Sequence, residues 1–137
     1  MTVTVAHDAS RYSDAVLAEA LRQAAQRNTS LTVVHIARAA DADYREAVEA
    51  AVSDDIAKAA SATGIPEVPW TLHLGASPSD VDDVAEAILD VVGAVGGEIL
   101  VIGARRRSPM GKALLGSVTQ ELILDANVPV VVVKAPA

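Results

Sequence analysis

Glu98-Ile99-Leu100-Val101-Ile102-Gly103 runs into Ala104-Arg105-Arg106-Arg107-Ser108-Pro109-Met110-Gly111-Lys112-Ala113-Leu114-Leu115 and then Gly116-Ser117-Val118-Thr119-Gln120. The apolar run Ile99–Ile102 is too short for a buried helix and reads as a strand covered on both faces. Helix-like spacing resumes near Gly116. A strand, a loop of small residues and a helix N-terminus together form an anion cradle, because the first backbone N–H groups of a helix are unpaired and its dipole favours negative charge there.

Charge supports that reading. From Ile99 to Gln120 there is no acidic residue, although the chain carries 18 over 137 positions. Four of its 11 Lys and Arg lie in the same window: Arg105, Arg106, Arg107 and Lys112. Elsewhere seven bases face 18 acids, a balance of −11. A basic island on an acidic chain fits a phosphate-bearing small ligand, whereas the remaining surface would repel a long nucleic acid.

Working outward, the same alternation repeats. Thr2–Ala6 is a short strand ending at His7-Asp8. Ser13 to Arg27 is helical, with Ser13 as candidate N-cap and Leu17, Ala20, Leu21 and Ala24 on one face. Leu31–Ile36 is a second, nearly all-apolar strand. Asp41 to Ala62 carries Tyr44, Val48, Val52, Ile56 and Ala59 at helical spacing and stops at Gly64-Ile65-Pro66. Val68–Leu74 is a third strand whose Pro69 favours a sheet edge. A helix starts at Ser77-Pro78-Ser79-Asp80 with Val81, Val84, Ile88 and Val91 inward, and Gly93 to Gly97 end it. The last helix spans about Gly116 to Ala126, and Pro129–Lys134 is the fifth strand. Strands separated by helices imply right-handed crossovers and an open, doubly wound, mostly parallel α/β sheet in one domain over residues 1–137.

Composition sets the limits. Hydrophobic residues make up 51%, with no Phe, one Trp and two Tyr, so the core is built from Ala, Val, Leu and Ile. The absence of Cys excludes disulfides and thiolate metal sites. No basic, apolar leader precedes the first strand, and the longest apolar run, Val128 to Val133, contains Pro129 and is far too short to cross a bilayer. A soluble cytoplasmic protein without membrane contact is expected.

In a doubly wound sheet, ligands sit outside the carboxyl ends of the strands where strand order reverses. If the first and fourth strands are neighbours, the loops at His7–Ser10 and Gly103–Ser117 meet there. Asp8 would then accept from a ribose hydroxyl or an adenine amine, or else serve as a turn carboxylate. Gly116 and Ser117 would hold phosphate oxygens, or Ser117 would be an ordinary N-cap. Gly103 would allow close backbone approach, or simply a positive φ. Arg105, Arg106, Arg107 and Lys112 would neutralise phosphates, or form a solvated loop.

Gly111-Lys112 mimics the end of a P-loop, but Ala113 replaces the required hydroxyl residue and Arg106 the first glycine. His7, His35 and His73 each lie near a strand end. On adjacent strands they would line up as a metal site, or else bond backbone groups, which is their ordinary role, and no metal site is assigned to them. No nucleophile–His–Asp set with a recognisable elbow is present, and no catalytic residue is assigned.

Read as a whole, the chain resembles a universal stress protein along essentially its full length. Val3-Thr4-Val5-Ala6-His7-Asp8-Ala9-Ser10 is similar to the family's first strand and Asp-Gly-Ser turn, with Ala9 for Gly. Leu31–Ile36 is similar to its second strand, and Gly75-Ala76-Ser77-Pro78 to its third loop. The ending is the most specific part: Ile99–Gly103, Leu115–Gln120, and Asp125-Ala126-Asn127-Val128-Pro129-Val130-Val131-Val132-Val133. Nucleotide-binding members share Gly, two residues, Gly, nine residues, Gly, Ser/Thr. Gly103, Gly116 and Ser117 match it, and Arg106 replaces the middle glycine.

The resemblance implies a Rossmann-like, adenine nucleotide alpha hydrolase-like sheet in order 3-2-1-4-5 that binds ATP, ADP or AMP, with or without Mg²⁺. It places the adenosine at Asp8, the adenine pocket at Val34, and ribose and phosphates at Gly103, Gly116, Ser117 and Val118. Ala6, Arg105, Arg106 and Gly111 complete the candidate set. Arg106 would either block close backbone approach or add a cation, and the basic loop is expected to compensate. The family pattern further implies a homodimer through Val130, Val131, Val132 and Val133, which would cover an apolar strand edge. Three roles follow in order: a regulatory stress-response protein that binds an adenine nucleotide, a dimeric interaction module of the same fold that binds none, and a slow ATPase or self-phosphorylating protein. The last lacks a general base at the phosphate position.

Overall fold

The computed structural model describes residues 1–7, 13–37, 41–66, 68–76, 82–104 and 116–134. Among them the chain runs β1 (Thr2–Ala6), α1 (Ser13–Gln26), β2 (Ser30–Ala37), α2 (Ala42–Thr63), β3 (Trp70–Ala76), α3 (Asp82–Ala94), β4 (Gly97–Ala104), α4 (Ser117–Asp125) and β5 (Val130–Lys134). The five strands form one sheet in order β3-β2-β1-β4-β5, and every neighbouring pair is parallel. This is the doubly wound architecture, with β3 and β5 at the edges.

Alternation along the central strands divides the core in two. Val3, Val5, Leu31, Val33, Ile99 and Val101 face α1 and α2, against Leu17, Ala20, Leu21 and Ala24 on one helix and Val48, Val52, Ile56 and Ala59 on the other. Val34, Leu100 and Ile102 point the opposite way, to Ala85, Ile88, Val91 and Val92 of α3 and Leu122 of α4. Each fully buried Val or Leu contributes about 1.5–3 kcal/mol by leaving water. With no Phe to fill space, small residues bring the helices close, as at fully buried Ala20 and Ala24.

Several boundaries differ from the sequence expectation for local reasons. Asp41 is the N-cap of α2 rather than part of it, and its carboxylate accepts from the Tyr44 N–H at 2.7 Å. That helix ends on Gly64 at φ 69°, whose N–H donates to Ala60 O, a left-handed turn natural to glycine. Pro69 lacks an N–H and stays outside β3, which begins at Trp70, while its carbonyl accepts from Leu31 N at 2.9 Å. In α3 the buried stripe is Ala85, Ile88, Val91 and Val92, with Val84 only partly buried. The expected start of that helix, Ser77–Asp80 with Val81, lies outside the described residues. Ser13 is the first residue of α1, and its side chain is likewise outside the description. No helix among the described residues is long and apolar enough to cross a membrane.

Candidate functional site

The candidate site lies at the carboxyl ends of β1, β2 and β4, where the strand order reverses. Ala6 closes β1 and pairs in register with Val34 of β2. Ala6, Val34 and Val118 join one apolar cluster, in which Val34 is almost fully buried and the other two partly so. Residues of β1, β2 and α4 thus contribute to the same apolar cluster.

Val118 belongs to the first turn of α4. Gly116 is its N-cap, in extended backbone at φ −64° and ψ 158°, and no side chain caps it. Ser117 is therefore the first helical residue and not the N-cap, and both Gly116 and Ser117 are exposed. The first turn holds no acidic side chain, so its N–H groups and dipole face outward without a competing carboxylate.

Gly103 lies in β4, in register with Val133. It does not adopt a positive φ, because positive φ among the described glycines is confined to Gly64 and Gly96. Its smallness serves packing instead: a Cβ there would come within 2.8 Å of the Val16 Cγ2 methyl on α1. The residue nevertheless keeps its backbone exposed at the end of the sheet. Asp8, Arg105, Arg106 and Gly111, with Arg107 and Lys112, lie outside the described residues.

On the other face of β1 and β2 the structure brings together four side chains that sequence reasoning left apart. His7 follows β1 and extends its ladder, donating from its backbone N–H to Val34 O at 2.8 Å. Its ring Nδ1 lies 3.1 Å from His35 Nδ1, and its Nε2 lies 3.4 Å from Asp55 Oδ2. His35 Nε2 is 2.9 Å from Tyr44 Oη. Both imidazoles are buried. The signal was present in register: His7 and His35 each sit two residues past an inward-facing valine, Val5 and Val33. Tyr44 and Asp55 are eleven positions apart, or three helical turns, on one face of α2. His73 does not join them; it pairs in register with Val34 and is exposed. No group of three or more His, Asp and Glu among the described residues is set to hold a metal.

A surface hollow of about 300 Å³ between α2 and β3 is lined by Glu46, Glu49, Ala50, Ser53 and Trp70. Its carboxylates give it the wrong charge for a phosphate.

Strand order and parallel pairing define an open α/β protein whose strand order reverses between β1 and β4. The chain belongs to the universal stress protein family, whose model matches residues 1–134. A universal stress protein of Mycolicibacterium smegmatis is 35% identical over 134 residues, 96% of either chain. Among solved structures, a universal stress protein from Archaeoglobus fulgidus shares 28% identity at a TM-score of 0.78, over 98% of both chains. The Archaeoglobus fulgidus protein in complex with dAMP matches at 24% identity and a TM-score of 0.71, again over 98% of both. A universal stress protein in complex with cAMP matches at 22% and 0.71, covering 99% of this chain and 98% of that one. The last two likenesses speak to the fold.

Proposed function

We propose that this chain binds an adenine nucleotide at the carboxyl ends of β1, β2 and β4 and works as a cytoplasmic stress-response regulator. The base lies toward Ala6, Val34 and Asp8, and the ribose and phosphates toward Gly103, Gly116, Ser117 and Val118. One observation carries the reading: the uncapped, acid-free N-terminus of α4 is tied through Val118 to the same apolar cluster as Ala6 and Val34. Val118 thereby links a candidate anion seat to apolar packing, as a nucleotide requires. The relatives solved with dAMP and cAMP support the choice of adenine.

Micromolar affinity corresponds to about 8 kcal/mol, and a single helix-dipole contact to about 0.3–1 kcal/mol. Several groups must therefore act together, and Arg105, Arg106 and Gly111 are the further contributors. ATP, with or without Mg²⁺, gains most from such a basic loop, and AMP least. Calorimetric titration with ATP, ADP and AMP tests this, with affinity expected to rise with phosphate number. Absence of both heat and thermal shift at millimolar ATP would defeat it.

Arg106, at the position of the motif's middle glycine, favours a second reading, an interaction module without nucleotide. Arg106→Gly separates the two, since it should alter nucleotide affinity only if the site is used. In either case we propose a homodimer through the β5 edge. Val130 to Val133 are only half-buried there, and Leu124 of the adjacent α4 is 79% exposed. Light scattering at micromolar concentration should return twice the chain mass.

A further inference from the structure

The buried side chains that the nucleotide reading leaves unused are His7, His35, Tyr44 and Asp55. Hydrogen-bond arithmetic constrains them tightly. At 3.1 Å, one of the two facing Nδ1 atoms carries a hydrogen and the other presents its lone pair. In the neutral pair one chain of donation satisfies these three contacts. Tyr44 O–H donates to His35 Nε2, His35 Nδ1–H donates to His7 Nδ1, and His7 Nε2–H donates to Asp55 Oδ2.

A single added proton fits as well. It lands on His35 Nε2, reverses the bond to Tyr44 so that the phenol oxygen accepts, and leaves the Nδ1 contact intact. The resulting cation lies two contacts from the Asp55 carboxylate. A second added proton does not fit, because it would set N–H against N–H across 3.1 Å inside a pair that is itself buried. The contact must then open.

We infer that His7 and His35 form a one-proton switch that holds α2 to the sheet and releases it on the second protonation. Among the described residues the titratable groups contacting the pair are Tyr44 and Asp55, both on α2. His35 and Asp55 also have contacts outside these four. Those do not alter the count, which rests on the facing Nδ1 atoms alone. His73 of β3 is on the opposite side of the sheet and exposed.

The sign follows from linkage. In the unfolded chain each imidazole takes its own proton, so once pH falls through the ordinary imidazole range the unfolded state binds one proton more than the folded pair can hold. This contribution to stability is therefore present above that range and lost as pH falls, by about tenfold in the folded-to-unfolded ratio per pH unit. Resting on the proposed nucleotide site, a second consequence follows. His35 directly follows Val34, so opening the pair shifts that adenosine-side position and weakens the nucleotide.

The experiment is a pH titration of the wild-type chain with ¹⁵N-labelled histidine, read by imidazole NMR from pH 8 to 5. His73, exposed and outside the pair, serves as internal control. His7 and His35 together should take up one while α2 stays docked, with the second uptake coinciding with loss of α2 amide protection. Unfolding experiments in parallel should show a pH slope one proton steeper than in His35→Asn, where no facing pair exists. If His35→Asn does not fold, the wild-type proton count decides alone. Two full uptakes in a chain with α2 still protected would overturn the switch, as would stoichiometric Zn²⁺ binding that displaces the shared Nδ1 proton. Nucleotide binding at pH 8 is measured separately. If it is absent the nucleotide reading fails while the proton count stands.

Discussion

The two halves of the carboxyl edge of the sheet are built on opposite plans. Over β1 and β2, on the α2 face, His7, His35, Tyr44 and Asp55 bond one another. Beside β4 and α4, among the described residues, Gly103 and Gly116 are exposed and no side chain caps the helix. One half spends its polar groups on itself and the other keeps them for a partner. Changes in the first half should therefore cost stability, and changes in the second should cost binding.

His35→Ala would break the closed half most severely. It removes a buried ring and strands His7 Nδ1 without a partner, whereas Tyr44, 38% exposed, can turn to water. Cavity and unpaired nitrogen together should cost about 2–4 kcal/mol in chemical unfolding. Gly103→Val comes next and tests the exception, a residue of the open half that also packs. The new side chain would drive into Val16, which is itself buried, at a cost of about 1–3 kcal/mol, and would obstruct the backbone approach a ligand needs. Stability and nucleotide affinity should both fall for this variant.

How far this division is legible in the sequence varies with the physics behind it. The near-continuous apolar runs in Leu31–Ile36 and Ile99–Ile102 mark strands covered on both faces, because burial demands apolar side chains above and below. The stripe Val48, Val52, Ile56, Ala59 likewise shows which side of α2 faces inward. Strand order was not in those patterns. It came from the resemblance carried by Gly103, Gly116 and Ser117, since crossover topology leaves no local periodicity. The histidine–tyrosine–aspartate chain stayed hidden for a different reason. Its members are 28, 9 and 48 positions apart pairwise, and only register across two strands and three turns of helix unites them. Gly103 shows the limit in miniature: its need to be small arises from a methyl group 87 positions away, which no local rule contains.

Tyr44→Phe removes one bond at the half-exposed end of the closed cluster and should cost about 0.5–1.5 kcal/mol. Loss well above that range would mean the cluster reaches further into α2 than its four side chains suggest.

Ser117→Ala should have the smallest effect on the fold and is the sharpest test of the open half. Were Ser117 a true N-cap, its removal would cost about 0.5–2 kcal/mol of stability. It is instead the first helical residue, exposed, in a helix whose cap carries no side-chain bond. Its hydroxyl has no structural duty there, so thermal and chemical unfolding should stay within about 0.5 kcal/mol of wild type. Its place above the α4 N-terminus suits a phosphate oxygen, and loss of one such hydrogen bond corresponds to about a 3–10-fold drop in nucleotide affinity. A variant that keeps full affinity but loses stability would reverse the assignment, making this end of the sheet a structural cap like the other.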